Sequence, residues 1–393
     1  MKKYSKLYLA LLILFITYEY PYIAYSGVNA EWKNQPVEEI KSQQSATAEH
    51  HTQDGFQNHP FIETASSKGP LFYIRRAWHS IFLHDAPKEH TLTESEALHL
   101  KNTISGDSVT WLGHASFLIR LSGKTILTDP YFSEFASPLS WIGPRRMVAS
   151  GISLENLPPI DIIIASHNHY DHLDDEAIRK LPNKDNIRVV VPLGLKTFFA
   201  ERDYSNITEL DWHKGITIEN LELIALPAVH NSARSHNDHN KTLWASWAIV
   251  SPENKLYFIG DSGYSNSIFK NIGNEYGKFD YVLLPIGAYE PRELMWMSHM
   301  TPEEAVLVGK EVRADTLIAS HWGTINLSDE PPWEPPKRFS KAGLSNGFDE
   351  RKLWIMKIGE TRSLTDPKIA RDHNSTSKFS PTSTQNQRKF LNE

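Results

Sequence analysis

The chain has 393 residues, 40% of them hydrophobic and 22% charged, with a formal net charge of −6 and no cysteine. This is the composition of an ordinary globular protein, and its acidic balance gives no global footprint for nucleic acid. Without cysteine there are no disulfides, no thiolate metal sites and no lipidated-cysteine anchor, so any metal must be held by histidine and carboxylate.

The chain opens MKKYSKLYLALLILFITYEYPYIAYSG. Lys2, Lys3 and Lys6 precede an apolar run from Leu7 to Tyr18, and Ala24-Tyr25-Ser26 is a small-x-small site. That is the layout of a secretory signal peptide over residues 1–26. The run is shorter than the ~20 residues that span a bilayer, so a cleaved signal is expected, with a retained membrane anchor as the alternative. Either predicts export, into a bacterial periplasm or cell envelope. Residues 27–104 read as a polar arm, loosely ordered to about 65. Within it PLFYIRRAWHSIFLH (70–84) is either a helix docked on the main domain or an amphipathic surface for lipid. His50, His51, His59, His213, His236, His239 and His373 have no motif around them and read as ordinary polar residues.

From about 105 the pattern becomes dense. VTWLG, ASFLIRL and KTILTDP are short β-rich runs separated by turns, followed by IDIIIAS and RVVVP, and later by LELIALP, LWASWAIV, KLYFIGD, YVLLPIG and TLIASH. DDEAIRKL, GLKTFFAER and PEEAVLVGKEV read as helices. The last has a Thr301 N-cap, Pro302 at N1 and acids in its first turn. Strands with interspersed helices predict a layered α/β domain over 105–365. The Ser-, Thr-, Asn- and Gln-rich stretch 366–393 reads as a disordered tail.

The segment SHNHYDH (166–172) places His167, His169, Asp171 and His172 directly after an apolar strand. Positions 167 and 169 share one side of an extended chain, so both imidazoles suit one cation. Asp171 and His172, past the turn, suit a second, and a pair of ions ~3.5–4 Å apart is the arrangement of two-metal hydrolysis. Two ions need further ligands. Three later strands end on candidates: LIALPAVH at His230, LYFIGDSG at Asp261, a carboxylate suited to bridging, and LIASHWG at His321.

The ordered set H-x-H-x-D-H, His, Asp, His resembles the metallo-β-lactamase superfamily of dinuclear metallohydrolases. VTWLGHAS, LTDPYFS, ASPLSWIGPRR, LPPIDIIIASHNHYDHLD, VPLGL, ELDW, LWASW, GDSGY, IGAYEPR and HWGT…EPP resemble, more narrowly, the N-acyl-phosphatidylethanolamine-hydrolysing phospholipase D family, over about 107–362. The resemblance implies a four-layer αββα sandwich and two Zn²⁺ ions, other divalent transition metals being alternatives. One ion would be held by His167, His169 and His230, the other by Asp171, His172 and His321, with Asp261 between them. His299 would sit close to the substrate phosphate, and Asp171 would orient or deprotonate the attacking water. Asp129 and His114 are expected to support the ligands from behind. Trp296 and Met297 are expected to face lipid, beside the loop from Phe132 to Trp141. The implied activity is hydrolysis of an N-acylated phospholipid at a membrane surface to phosphatidic acid and N-acylethanolamine, by a protein that the family suggests is a homodimer. Two alternatives are a hydrolase of a soluble phosphodiester or phosphosugar lactone and an exported metal-binding protein without turnover.

Overall fold

The computed structural model describes residues 48–62, 88–235 and 237–364. The signal or anchor at 1–26, the docking helix at 70–84 and the tail at 366–393 lie outside the described residues. Among those described, no helix is long and apolar enough to cross a membrane.

Two seven-stranded sheets form the centre. The first runs, in spatial order, β14 (Thr361–Ser363), β1 (Ser108–Gly113), β2 (Ser116–Leu121), β3 (Lys124–Thr128), β4 (Ile162–Ile164), β5 (Arg188–Pro192) and β6 (Ile207–Leu210). The second runs β13 (Leu353–Trp354), β12 (Thr316–Ser320), β11 (Tyr281–Pro285), β10 (Lys255–Phe258), β9 (Ser246–Val250), β8 (Leu221–Leu226) and β7 (Gly215–Ile218). Period-two alternation sorts their side chains. Ile126, Ile162, Ile164 and Val190 share a core with Leu223, Trp247, Ile249 and Leu283 of the second sheet. Leu127, Ile163, Val189 and Val191 point the other way into a separate outer core. Both faces are therefore buried, which explains why IDIIIAS and RVVVP are continuous apolar runs rather than alternating ones.

Helices cover both outer faces. On the first sheet lie α1 (Glu94–Thr103), α2 (Asp175–Lys180) and α3 (Lys196–Ala200), which bury Ala97, Ile178, Phe198 and Phe199. On the second lie α4 (Asn266–Glu275), α6 (Pro302–Glu311) and α7 (Pro335–Ser345), which contribute Ile268, Phe269, Val306, Val308 and Phe339. The single-turn α5 (Arg292–Met295) precedes α6. The result is the αββα sandwich. At the start of α6, the Thr301 side chain accepts from Glu304 N–H while the Glu304 carboxylate accepts from Thr301 N–H, a reciprocal cap.

One expectation needs correction. The arm from 27 to 104 is not wholly peripheral: residues 48–62 pack on the domain, with Phe56 3% exposed in the inter-sheet core, and α1 is part of the outer layer. The polar composition of 48–62 concealed this, because its attachment is mostly by hydrogen bonds rather than by an apolar face. Gly55 shows how closely it lies: a Cβ there, at φ 153°, would meet the Asn240 carbonyl oxygen at 2.1 Å.

Candidate active site

The site forms where strands of both sheets end. β3, β4 and β5 run parallel, as do β10, β11 and β12. Asp129 follows β3, SHNHYDH follows β4, Asp261 follows β10 and His321 follows β12, while His114 and His230 follow β1 and β8. His114, Asp129 and His321 adopt left-handed backbone, with φ of 54°, 35° and 58°. For residues other than glycine this costs roughly 1–3 kcal/mol and gathers at functional sites. The His321 N–H donates to the His114 carbonyl at 3.0 Å, joining the two sheets at the site.

Side chains converge in overlapping groups. His167 Nε2 lies 2.8 Å from His169 Nδ1, which lies 3.3 Å from His230 Nε2. Beside them, His114, Asp171, His172 and His321 form a second group, and Asp261, His299 and His321 a third. Asp261 reaches across: one oxygen is 3.1 Å from His172 Nε2 and 3.8 Å from His230 Nε2, the other 3.0 Å from His321 Nε2.

The outward-facing bonds of these imidazoles set their tautomers. His172 Nδ1–H donates to Asp129 at 2.7 Å. Asp129 also accepts the Ser166 N–H and hydroxyl, each at 2.6 Å. With its own proton so placed, the Ser166 oxygen accepts from His167 Nδ1–H at 2.9 Å. His230 Nδ1–H donates to the Ser298 carbonyl at 3.0 Å. In a neutral ring each of these bonds turns the Nε2 lone pair into the site; at His172 the facing carboxylates raise the pKa and draw a proton or a cation to that atom.

These atoms fit a metal better than they fit one another. His172 Nε2, His321 Nε2 and Asp261 Oδ1 are buried and near one another yet make no hydrogen bond. Three imidazole nitrogens also face each other at 2.8 to 3.3 Å, where few protons are available to bridge them. Ligands about 2.0–2.2 Å from a common Zn²⁺-sized ion stand at such separations.

The electrostatics agree. Burial, with the neighbouring imidazoles, holds His167 well below the ordinary histidine range and lowers His230 and His114 to about 3. All three are thus neutral, the form that ligates a metal. Burial alone would raise Asp171 and Asp261, but the surrounding histidines, His172 foremost, outweigh it and hold both carboxyls well below their usual range. Burial works against a charge on His172 too, but Asp261, Asp171 and Asp129 overcome it and raise its pKa. Burial raises Asp129, against the pull of His172 and Ser166.

The remaining expected residues lie around this centre. His114 Nε2–H donates to Asp171 at 2.9 Å. The His299 ring stands 5.5 Å from those of His230 and His321. Its backbone N–H bonds to the Met295 carbonyl at 2.9 Å, and its own carbonyl accepts from Arg292 at 2.7 Å. Trp296 is 43% exposed, but Met297 is only 8% exposed, so the expectation that it faces lipid is corrected. The cause is close backbone approach: a Cβ at Gly263 would lie 2.7 Å from the carbonyl oxygens of both Trp296 and Met297. That seats this segment flush on the turn after Asp261, with Met297 inward and Trp296 outward.

Sequence reasoning missed several supports. Arg234 donates to the carbonyls of Asn168 and Leu173 at 2.9 and 2.6 Å and stacks on Tyr170 at 3.9 Å, clamping the SHNHYDH loop. Ser166 could have been noticed from its place in the motif. Ser298 acts through its backbone and Asn58 from far upstream, and neither has a local signal.

Comparison with known proteins agrees with the geometry. A beta-lactamase superfamily domain matches residues 124–322. The N-acyl-phosphatidylethanolamine-hydrolyzing phospholipase D 1 of Caenorhabditis elegans is 42% identical over 243 residues, covering 59% of this chain and 68% of that protein. The mitochondrial N-acyl-phosphatidylethanolamine-hydrolyzing phospholipase D of Saccharomyces cerevisiae is 34% identical, covering 64% of this chain and 55% of that one. Among solved structures, an isothiocyanate hydrolase from Delia radicum gut bacteria shares the fold, with a TM-score of 0.53, 22% identity and coverage of 66% of this chain and 99% of its own. Ligand-type residues at the strand ends, the sandwich that carries them and these matches together make the chain a metal-dependent hydrolase belonging to the N-acyl-phosphatidylethanolamine-hydrolysing phospholipase D family of the metallo-β-lactamase superfamily.

Proposed function

We propose that this protein hydrolyses N-acyl-phosphatidylethanolamine, or a closely similar phospholipid, to phosphatidic acid and an N-acylethanolamine. His167, His169 and His230 would hold one zinc ion and Asp171, His172 and His321 a second, with Asp261 between them. When bound, such a pair supplies Lewis acidity toward a phosphoryl oxygen and acidifies the attacking water.

The chain's own groups do the rest. Asp171 is fixed by His114 on one side, and its side chain is 14% exposed, so it can orient a water and take its proton. The water oxygen forms a bond to phosphorus as the bond from phosphorus to the ethanolamine oxygen breaks. The departing oxygen takes up a proton, leaving phosphatidic acid. His299 stands where a ring N–H can meet the charge that gathers on the phosphoryl oxygens.

The observation that carries the lipid reading is Trp296. A large indole is 43% exposed three positions before His299, at the rim of the site, and Trp141 is 63% exposed on the loop after β3. Indole rings suit a membrane interface, apolar on one side and wet on the other. The test is turnover of N-acyl-phosphatidylethanolamine in mixed vesicles by the metal-loaded protein, with Asp171→Asn as control. Release of N-acylethanolamine by the wild type alone is expected. Turnover of a soluble phosphodiester or lactone, with none of the lipid, would move the substrate to that class.

A further inference from the structure

Residues 48–62 touch the metal centre from a direction that the reaction does not use. The Asn58 side chain is buried and grips both backbone groups of His230: its Nδ2 donates to the His230 carbonyl at 3.0 Å, and its Oδ1 accepts the His230 N–H at 3.1 Å. The same oxygen accepts from Trp244 Nε1 at 3.2 Å, and that indole also donates to the Ala228 carbonyl at 2.9 Å. Asn58 therefore fixes the main chain on either side of an imidazole whose own Nδ1 is already committed to Ser298.

The segment is fastened at its other end. His50 and His51 each present Nε2 to a different oxygen of Asp211, at 2.7 and 2.8 Å. His50 stacks on Trp212 at 4.2 Å, and Trp212 Nε1 donates to the Trp244 carbonyl at 2.6 Å. Between the two ends, Phe56 N–H bonds to the Asn240 carbonyl at 2.8 Å, and Asn240 is itself bonded to Ser232, two residues beyond His230. A strap thus runs from a histidine–carboxylate latch to the backbone of a ligand.

We propose that Asn58 is a positioning residue for His230, and that the latch of His50, His51 and Asp211 holds the strap so that Asn58 can act. The proposal rests on His230 being a metal ligand. A backbone shift at 230 swings an imidazole whose lone pair must meet an ion within a few tenths of an ångström. Groups that orient ligands in this way contribute about 10- to 100-fold in metal affinity.

The test counts ions on the full-length protein. Wild type, Asn58→Leu, Asn58→Asp, His51→Gln, His59→Ala and His230→Ala are equilibrated with Zn²⁺ at a buffered free concentration, then with Co²⁺ for its absorption spectrum. Two ions are expected on the wild type and on His59→Ala, an exposed strap residue. Asn58→Leu should hold the ion of the His167, His169 and His230 group about tenfold more weakly, with the other ion unchanged. Asn58→Asp, which keeps the acceptor for the His230 N–H, should recover part of that loss, and His51→Gln should show a smaller loss of the same kind. General destabilisation would lower the melting temperature without singling out one ion. Wild-type affinity for both ions in Asn58→Leu would overturn the proposal. Both ions retained in His230→Ala would overturn the ligand assignment and the strap's role with it. A third ion on the wild type that vanishes in His51→Gln would overturn the hydrogen-bonded latch, because the cluster would then be a metal site itself.

Discussion

Among the described residues, two clusters combine histidines with aspartate, and they are built differently. At Asp211, each imidazole Nε2 meets its own carboxylate oxygen at 2.7 or 2.8 Å in hydrogen-bonding geometry. At the strand ends, nitrogens face nitrogens, and His172 Nε2, His321 Nε2 and Asp261 Oδ1 lie close together without bonding. In the first cluster every facing nitrogen meets a carboxylate oxygen, and only the outward His51 Nδ1 is buried without a hydrogen bond. The second makes chemical sense around an ion. Residue type is the same in both, so what separates a latch from a metal centre is where the protons can go.

The largest effect that would test this contrast is metal removal. A strong chelator should abolish turnover, and Zn²⁺ should restore it, while the folded strap persists in native amide exchange. Next, Asp171→Asn should lower kcat on vesicles by about 10³-fold, whereas Asp211→Asn should lower it by less than about tenfold, through metal affinity. Equal losses from the two substitutions would erase the distinction.

Asp129→Ala should weaken metal binding by about 10- to 100-fold, because His172 and Ser166 lose the group that fixes them. Chelator competition measures this directly. Gly260→Ala strikes the same support from the other side. Its Cβ would lie 2.4 Å from that of Ser166, at a φ of 67° that alanine tolerates poorly. A loss of about 2–3 kcal/mol in stability is expected from denaturant unfolding.

Acid separates the latch further. Burial would raise Asp211, but hydrogen bonds from His50 and His51 outweigh it and hold the carboxyl below its ordinary range. The unfolded chain then binds this proton more tightly than the folded one. The latch's stabilisation is complete above about pH 4 and is lost as pH falls further. Asp211→Asn should be less stable than wild type by about 2 kcal/mol at pH 7, with the gap closing below pH 4. The smallest effect is expected at the rim. Trp296→Ser should slow vesicle turnover a few-fold and spare a small soluble diester, and equal losses on both would remove the lipid-facing role.

How much of this could be read from sequence depended on distance along the chain. His167, His169, Asp171 and His172 lie within six positions, and each later candidate ends an apolar run, so strand-end logic reached His230, Asp261 and His321. The same logic reached Asp129 because it ends β3. The link from Asn58 to His230 spans 172 positions and rests on a side-chain amide, which has no periodicity to betray it. α4 was missed because its apolar residues, Ile268, Phe269 and Ile272, are few among polar ones. Met297 was misplaced because neighbouring residues on a single turn can face opposite ways, a choice made here by the close approach of Gly263.

The strap also changes where the working unit begins. A chain trimmed to start at β1 would keep the fourteen strands found among the described residues, every candidate ligand and the whole stretch matched by the superfamily domain. It would still lack Asn58, Phe56 and both latch histidines. On the proposed role of Asn58 the minimal catalyst is longer than the two sheets, and a protease that nicked the chain between Asn58 and β1 would be expected to loosen the strap and lower activity without cutting either sheet.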